Sequence, residues 1–167
     1  AGLGGNTRFF KPRFEYAQFL QHTRRTSFGF RFETEYIRAW GNSLPLPLFE
    51  RLVLGGEYSV RGFDVRTIGP RDPETGAVLG GNKSLLFNFE YLISIAGPVR
   101  LVLFYDAGQV RTFRQNYTWD EFKTSTGAEV RFFMPVLNVP FRLIFAFNPQ
   151  REGVLRNDYT PTKSFQF

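Results

Sequence analysis

One arginine and two carboxylates are the residues of this chain whose side chains could form a charged functional site. Arg61 stands between Val60 and Gly62 in a loop, and Glu90 and Asp106 lie on the polar faces of the next two alternating segments. Two neighbouring carboxylates can form a glycosidase acid–base pair. An arginine between them would instead keep both ionised, because an opposite charge favours the carboxylate form. We therefore expect a structural latch and no enzymatic activity.

The segment around Arg61 has the composition of a long ordered loop. Glycines and prolines punctuate residues 43–83, which is typical of a turn-rich connection. Apolar residues run through the same stretch and argue against disorder. We predict that residues 41–83 pack onto the rest of the chain with Arg61 at the tip, where the guanidinium offers a rigid fork of donors to carboxylates. Gly62 would let the backbone turn sharply beside the wall, and Phe63 would pack or stack there.

Six alternating segments and the beginning of a seventh predict this wall. They lie at 8–18, 27–40, 84–95, 99–111, 124–136 and 139–148, and the last begins at 164. In the second segment Phe28 and Phe30 share one face, whereas Arg31 and Glu33 share the other. Such period-2 alternation indicates β-strands. Pro12 weakens the first strand, since proline cannot donate to a ladder.

The connections between these strands alternate in length. Short ones at 21–26, 96–98 and 137–138 alternate with long ones at 41–83, 112–123 and 149–163. This rhythm is typical of a transmembrane β-barrel. A soluble sandwich would show the same alternation of faces, but phenylalanine accounts for 21 of the 167 residues, which favours contact with lipid. The predicted fold is all-β, a transmembrane antiparallel β-barrel whose long loop folds into the lumen.

The alternation assigns side chains to two faces. Those predicted to face lipid are Phe28, Phe30, Phe32, Leu85, Phe87, Phe89, Leu101, Leu103, Phe141, Leu143 and Phe145. Those predicted to face the lumen are Arg31, Glu33, Asn88, Glu90, Asp106, Glu129, Arg131 and Arg142. Apart from Glu90 and Asp106, the lumen charges are expected to form a loose network of ordinary lining residues.

Composition excludes several other classes of site. The net charge of +6 is spread along the chain without a basic block, so no nucleic-acid partner is expected. The chain has no cysteine and one histidine, His22, which is interpreted as a polar turn residue. Neither a metal site nor a cofactor is predicted.

There is no run of 18 apolar residues to make a transmembrane helix. No signal-peptide pattern begins at Ala1, so the native start is expected to be missing.

Several stretches together resemble one family. The run from Leu46 to Gly56, Ser59-Val60-Arg61-Gly62-Phe63 and Ile68-Gly69-Pro70 resembles the sixth extracellular loop of BamA-like outer-membrane insertases. Phe89-Glu90-Tyr91 and the run from Phe104 to Val110 resemble the two strands that follow that loop. The resemblance extends over essentially the whole chain from Arg8.

The resemblance implies both an architecture and a site. It places residues 1–167 in the C-terminal part of a barrel, as about the last seven strands of sixteen, with 41–83 as the extracellular loop. Val60, Arg61, Gly62 and Phe63 would form the loop latch, with Glu90 and Asp106 as its inner-wall partners. Gly55, Gly56, Gly69 and Pro70 would support the loop. The periplasmic POTRA domains and early strands of the family are absent, and Phe165-Gln166-Phe167 resembles only the beginning of its last strand, so a fragment is expected.

The family also implies a function. It would be a bacterial outer-membrane factor that folds and inserts other barrel proteins, with membrane lipids, lipopolysaccharide, nascent outer-membrane proteins and accessory lipoproteins as partners. Two alternatives stay open: a two-partner secretion or TamA-like translocation pore, and a passive porin. In the plainest interpretation, Arg61 is a solvated loop residue and the two acids line the lumen without a special partner.

Overall fold

A computed structural model of the chain describes residues 8–41, 46–134 and 139–167. The strands are β1 (Phe9–Phe10), β2 (Arg13–Gln21), β3 (Thr26–Tyr36), β4 (Arg38–Ala39), β5 (Lys83–Ala96), β6 (Val99–Arg111), β7 (Lys123–Met134), β8 (Val139–Phe147) and β9 (Phe165–Gln166). Seven of them form one antiparallel sheet in the order β2-β3-β5-β6-β7-β8-β9, while β1 pairs with β4. Within the described ranges, no helix is long and apolar enough to cross a membrane.

The predicted strands are present, but two of them are broken. The first stops at Phe10 and resumes at Arg13, because Pro12 interrupts the ladder. The second ends at Tyr36, and Ile37 turns its N–H to Asn82 O at 2.7 Å before β4 begins. Residues 1–7, the part of the long loop at 42–45 and the short connection at 137–138 lie outside the described residues.

Strand register places the two predicted sets of side chains on opposite faces of the sheet. Phe30 lies opposite Phe89, and their ring centroids are 5.0 Å apart. One residue along, Arg31 lies opposite Asn88, which in turn lies opposite Asp106. We call the face with the phenylalanines the outer face and the face with Asp106 the inner face. The antiparallel sheet agrees with a partial barrel, since its strands run in sequence order with hairpin connections.

The long loop covers the inner face and has a core of its own. Leu52 pairs with Gly81 and Leu54 pairs with Ile68 through isolated bridges. One cluster of buried residues joins the loop to the wall: Ile37, Ala39, Leu46, Leu52, Leu54, Val60, Phe63, Ile68, Leu86, Val110 and Val154. The loop is therefore an ordered body that packs on the sheet, in agreement with its apolar content. Its position within a closed lumen stays a prediction.

Candidate functional site at the loop tip

The loop tip turns sharply next to β8. Gly62 has a φ of +77°, a conformation that other residues rarely adopt. A Cβ on Gly62 would also lie 2.5 Å from Asn148 Oδ1 and 2.6 Å from Ala146 Cβ. Only a glycine therefore allows the backbone to approach the wall this closely and lets the preceding residue, Arg61, point along it.

Arg61 is 2% exposed and contacts carboxylates of three successive strands, β5, β6 and β7. Its Nε and Nη2 donate to the two oxygens of Asp106, each at 2.7 Å, which is the bidentate geometry that suits a guanidinium. Its Nη1 donates to Glu90 Oε1 at 2.7 Å and to Glu129 Oε2 at 2.9 Å. The guanidinium carbon lies 3.9 Å from the ring centroid of Phe104, close enough for a cation–π contact.

Sequence reasoning missed Glu129 as a partner of Arg61 and grouped it with ordinary lining charges. It is fully buried and accepts hydrogen bonds from Arg61, Arg131 and Arg142. The network at this site is therefore tight. Alternation places Glu129 on the inner face, but its height relative to Asp106 depends on the β6–β7 register, in which Glu129 lies opposite Val102.

The three carboxylates do not depend equally on the loop. Glu90 also accepts a hydrogen bond from Arg131 Nη2 at 2.6 Å, and Glu129 is bound by Arg131 and Arg142 of the wall as well as by Arg61. Asp106 is fully buried, and its side-chain partners are Arg61 and the amide of Asn88, at 2.7 Å. A buried carboxylate without a cation is costly. Asp106 is thus the wall residue whose charge is balanced by the loop itself.

Neutral and peripheral contacts hold the tip on both sides of Arg61. Asn88 Nδ2 donates to Ser59 O at 2.7 Å, and Arg31 Nη1 donates to Tyr58 O at 2.9 Å. Downstream, Asn148 Nδ2 donates to Gly62 O at 2.7 Å. None of these contacts was predicted, because each joins residues that are distant in sequence and none carries a motif.

The remaining predicted site residues shape the loop. Val60 and Phe63 are buried in the cluster between loop and wall. Gly55 and Gly56 have φ values of +109° and +105°, and Gly55 N–H donates to Ser59 Oγ at 2.8 Å. Gly69 approaches Val78 and Gly80, and Pro70 O accepts from Leu79 N at 2.9 Å. These are structural positions; their role as a latch stays a prediction.

No metal site accompanies the cluster. In the part of the chain that the structure describes, no group of three or more histidine, cysteine, aspartate or glutamate side chains could hold a metal ion. The arrangement is suited to binding a guanidinium, because arginine donors occupy the carboxylate oxygens at the centre of the cluster.

Comparisons with known proteins agree with this architecture. The chain matches the family model of the Omp85 superfamily domain over residues 1–167. It is 32% identical over 154 residues to the outer membrane protein assembly factor BamA of Nitratidesulfovibrio vulgaris (strain Hildenborough), covering 90% of this chain and 19% of that protein. It is 37% identical over 101 residues to the protein of the same name from Neisseria meningitidis serogroup B, covering 55% of this chain and 12% of that protein. The chain thus spans a small part of the length of these relatives.

A solved structure has the same fold. The crystal structure of BamA from Haemophilus ducreyi lacking POTRA domains 1–3 superposes with a TM-score of 0.79 at 17% identity, covering 98% of this chain and 35% of that one. At this identity the likeness establishes the fold alone. Together with the family match over residues 1–167, it leads to one conclusion: the chain belongs to the Omp85 superfamily and is part of an outer-membrane β-barrel.

Proposed function

We propose that the protein of which this chain is part folds other β-barrel proteins and inserts them into the outer membrane. The observation that carries the proposal is the 32% identity, over 90% of this chain, with a relative that bears the name of an outer-membrane protein assembly factor. The proposed partners are nascent outer-membrane proteins, the surrounding lipids and lipopolysaccharide, and accessory lipoproteins that bind POTRA domains.

The activity needs no bond chemistry. An assembly factor lowers the barrier to insertion by thinning the bilayer locally and by offering a strand edge as a template for pairing. The proposed part of this chain is to supply a wall whose inner face is braced by the long loop. Arg61 would act as the latch, since it ties the loop to β5, β6 and β7 at a single point.

The geometry of the loop argues against a passive porin. A porin lumen holds water, whereas this inner face carries a loop with a core that includes Leu52, Leu54 and Phe63. The tip is also held by a buried ion cluster. Burying charges is costly, so such a cluster is expected where the position of the loop matters for function. A two-partner secretion or TamA-like pore would share these features, so only an experiment distinguishes such a pore from an assembly factor.

The test is insertion of a client barrel by the intact protein in lipid vesicles, with Arg61→Ala against the wild type. Arg66→Ala is the matched control, because Arg66 is exposed on the same loop. We expect the wild type and the Arg66 variant to insert the client and the Arg61 variant to lose most of this activity. Wild-type vesicles that fail to insert any client overturn the proposal. Transport of a client across the bilayer would then favour the translocation pore, and ion conductance insensitive to Arg61 would favour the porin.

A further inference from the structure

The connection between β6 and β7, residues 112–122, folds over the outer face of the sheet. Phe122 packs against Phe87 of β5 with ring centroids 6.0 Å apart, and Trp119 packs on Phe122 at 5.7 Å. Thr118 ties the segment down, as its hydroxyl accepts from Arg111 Nη2 at 3.2 Å. Lys83 Nζ lies 4.8 Å from the ring centroid of Tyr117. The connection is therefore an anchored shelf beside the lipid-facing surface.

A groove of about 470 Å³ lies between this shelf and the strands. Aromatic rings form most of its walls, namely Phe89 and Tyr105 from the sheet and Trp119 and Phe122 from the shelf, and Gln150 completes the lining. Its floor is the cross-strand row of Phe87, Ala107 and Thr124, in which the two smaller residues leave the space open. The groove exists because Ala107 and Thr124 are small residues on a face that otherwise carries larger apolar side chains.

The groove has the chemistry of a site for hydrocarbon. None of its lining residues is charged. Glu121, the acid that precedes Phe122 in the shelf, is turned to Arg111 at 3.4 Å and to Lys123 at 3.9 Å. Trp119 is 84% exposed although the shelf that carries it is anchored, which leaves one side of the indole open. A large exposed apolar ring beside an open apolar groove is a feature of binding surfaces.

We propose that this groove binds one acyl chain of a membrane lipid, held between Trp119 and the row of Ala107 and Thr124. The groove is continuous with the outer-face phenylalanine band, so its natural neighbour is the hydrocarbon of the bilayer. Lipid elsewhere on the barrel touches a convex wall on one side, whereas a chain in this groove is enclosed by the wall, by Phe122 and by the indole. That enclosure buries more apolar area and makes the site selective over the surrounding lipid.

The experiment uses the intact protein in vesicles that contain a small fraction of a phospholipid with a photoreactive diazirine on one acyl chain. After irradiation, peptides are mapped by mass spectrometry. We expect labelling concentrated on the peptides that carry Phe87, Tyr105 and Trp119, several-fold above the peptide that carries Leu143, which is 63% exposed on the same face. Labelling that follows exposed area, with Leu143 as strongly modified as the groove, overturns the proposal.

Two variants separate the groove from general lipid contact. Ala107→Leu fills the floor with an apolar side chain on a lipid-facing surface, and Trp119→Ala removes one wall. Both should abolish the enrichment while the Leu143 peptide stays labelled. Phe113→Ala is the matched control, because Phe113 is an exposed aromatic of the same connection that packs on Tyr36, outside the groove. Enrichment that survives Ala107→Leu, or that disappears equally in Phe113→Ala, contradicts the site. Loss of phospholipid labelling in the groove because a protein binds the shelf would also contradict a lipid site.

Discussion

Replacing Arg61 by alanine removes the cation that balances Asp106. Glu90 and Glu129 keep wall arginines, but Asp106 keeps only the amide of Asn88 as a side-chain partner and is fully buried. Removing one partner of a buried ion pair costs about 3–5 kcal/mol. We therefore expect the free energy that holds the loop on the wall to fall by about this amount, up to the whole docking free energy of the loop. Since about 1.4 kcal/mol is a factor of ten in an equilibrium constant, the undocked population should rise by about two to four orders of magnitude.

Hydrogen exchange of the loop amides measures this change directly, because exchange reports the free energy of local opening. The informative amides are those of Leu54 and Ile68, which bond to each other's carbonyl oxygens at 2.9 Å. Their exchange should accelerate in Arg61→Ala, while amides in the middle of β6 keep their protection. Unchanged exchange at Leu54, at Ile68 and at the amide of residue 61, which donates to Asp106 Oδ2 across the interface at 3.1 Å, would refute the reasoning, since the ion cluster would then contribute nothing to docking.

A second substitution tests which acid is responsible. Adding Asp106→Asn to Arg61→Ala replaces the unpaired buried charge with a neutral group and should restore part of the protection at Leu54. Adding Glu129→Gln instead should restore none, because Glu129 is already balanced by Arg131 and Arg142, and neutralising it removes the buried carboxylate that these two arginines share. Equal effects of the two additions would show that the charges are shared evenly across the cluster.

Three further outcomes follow from the same geometry. Gly62→Ala should prevent the loop tip from packing on the wall and should abolish client insertion, because a Cβ would lie 2.5 Å from Asn148 Oδ1. Thermal unfolding of the barrel checks that the strands remain folded. Asn148→Ala should raise hydrogen exchange in the connection before β9, because the Asn148 amide joins Gly62 O at 2.7 Å to Lys163 O at 3.2 Å; unchanged exchange there would exclude this link. Added guanidinium ion should partly restore the exchange protection of the loop in Arg61→Ala, because the space left by the Arg61 side chain still contains the Asp106 carboxylate and the Phe104 ring. It should not do so when Asp106→Asn is added. Equal recovery in both variants would mean that the ion acts elsewhere.

The strands and their faces were predictable because alternation is a local property. Period-2 spacing identified β6 to the residue and placed Glu90 and Asp106 on one face. The break after Tyr36 was not visible, since the residues up to Trp40 have no proline or glycine to mark it. Alternation fixes which way a side chain points but leaves its height along the barrel to strand register, and for that reason Glu129 was missed.

Contacts between loops and wall were beyond sequence reasoning for a different reason. The bond between Asn148 and Gly62 joins residues 86 positions apart, and no local pattern encodes such a pairing. Residues 112–123 were predicted only as one of the long connections, without an indication that the segment would fold over the outer face. Its direction is set by the packing of Phe122 on Phe87, which is likewise a long-range contact.

The central claim is that the loop tip sits on β6 in the membrane, and a cysteine pair tests it most directly. The Cγ2 atom of Val60 lies 2.8 Å from the position that a Cβ on Gly108 would take. In the intact protein in native membranes, Val60→Cys with Gly108→Cys should therefore form a disulfide under mild oxidation, because disulfides require closely spaced Cβ atoms. Val65→Cys with Gly108→Cys, where Val65 is 62% exposed on the same loop, should remain reduced. Equal disulfide yields for the two pairs, or no disulfide for the first, would contradict a loop tip seated on the wall.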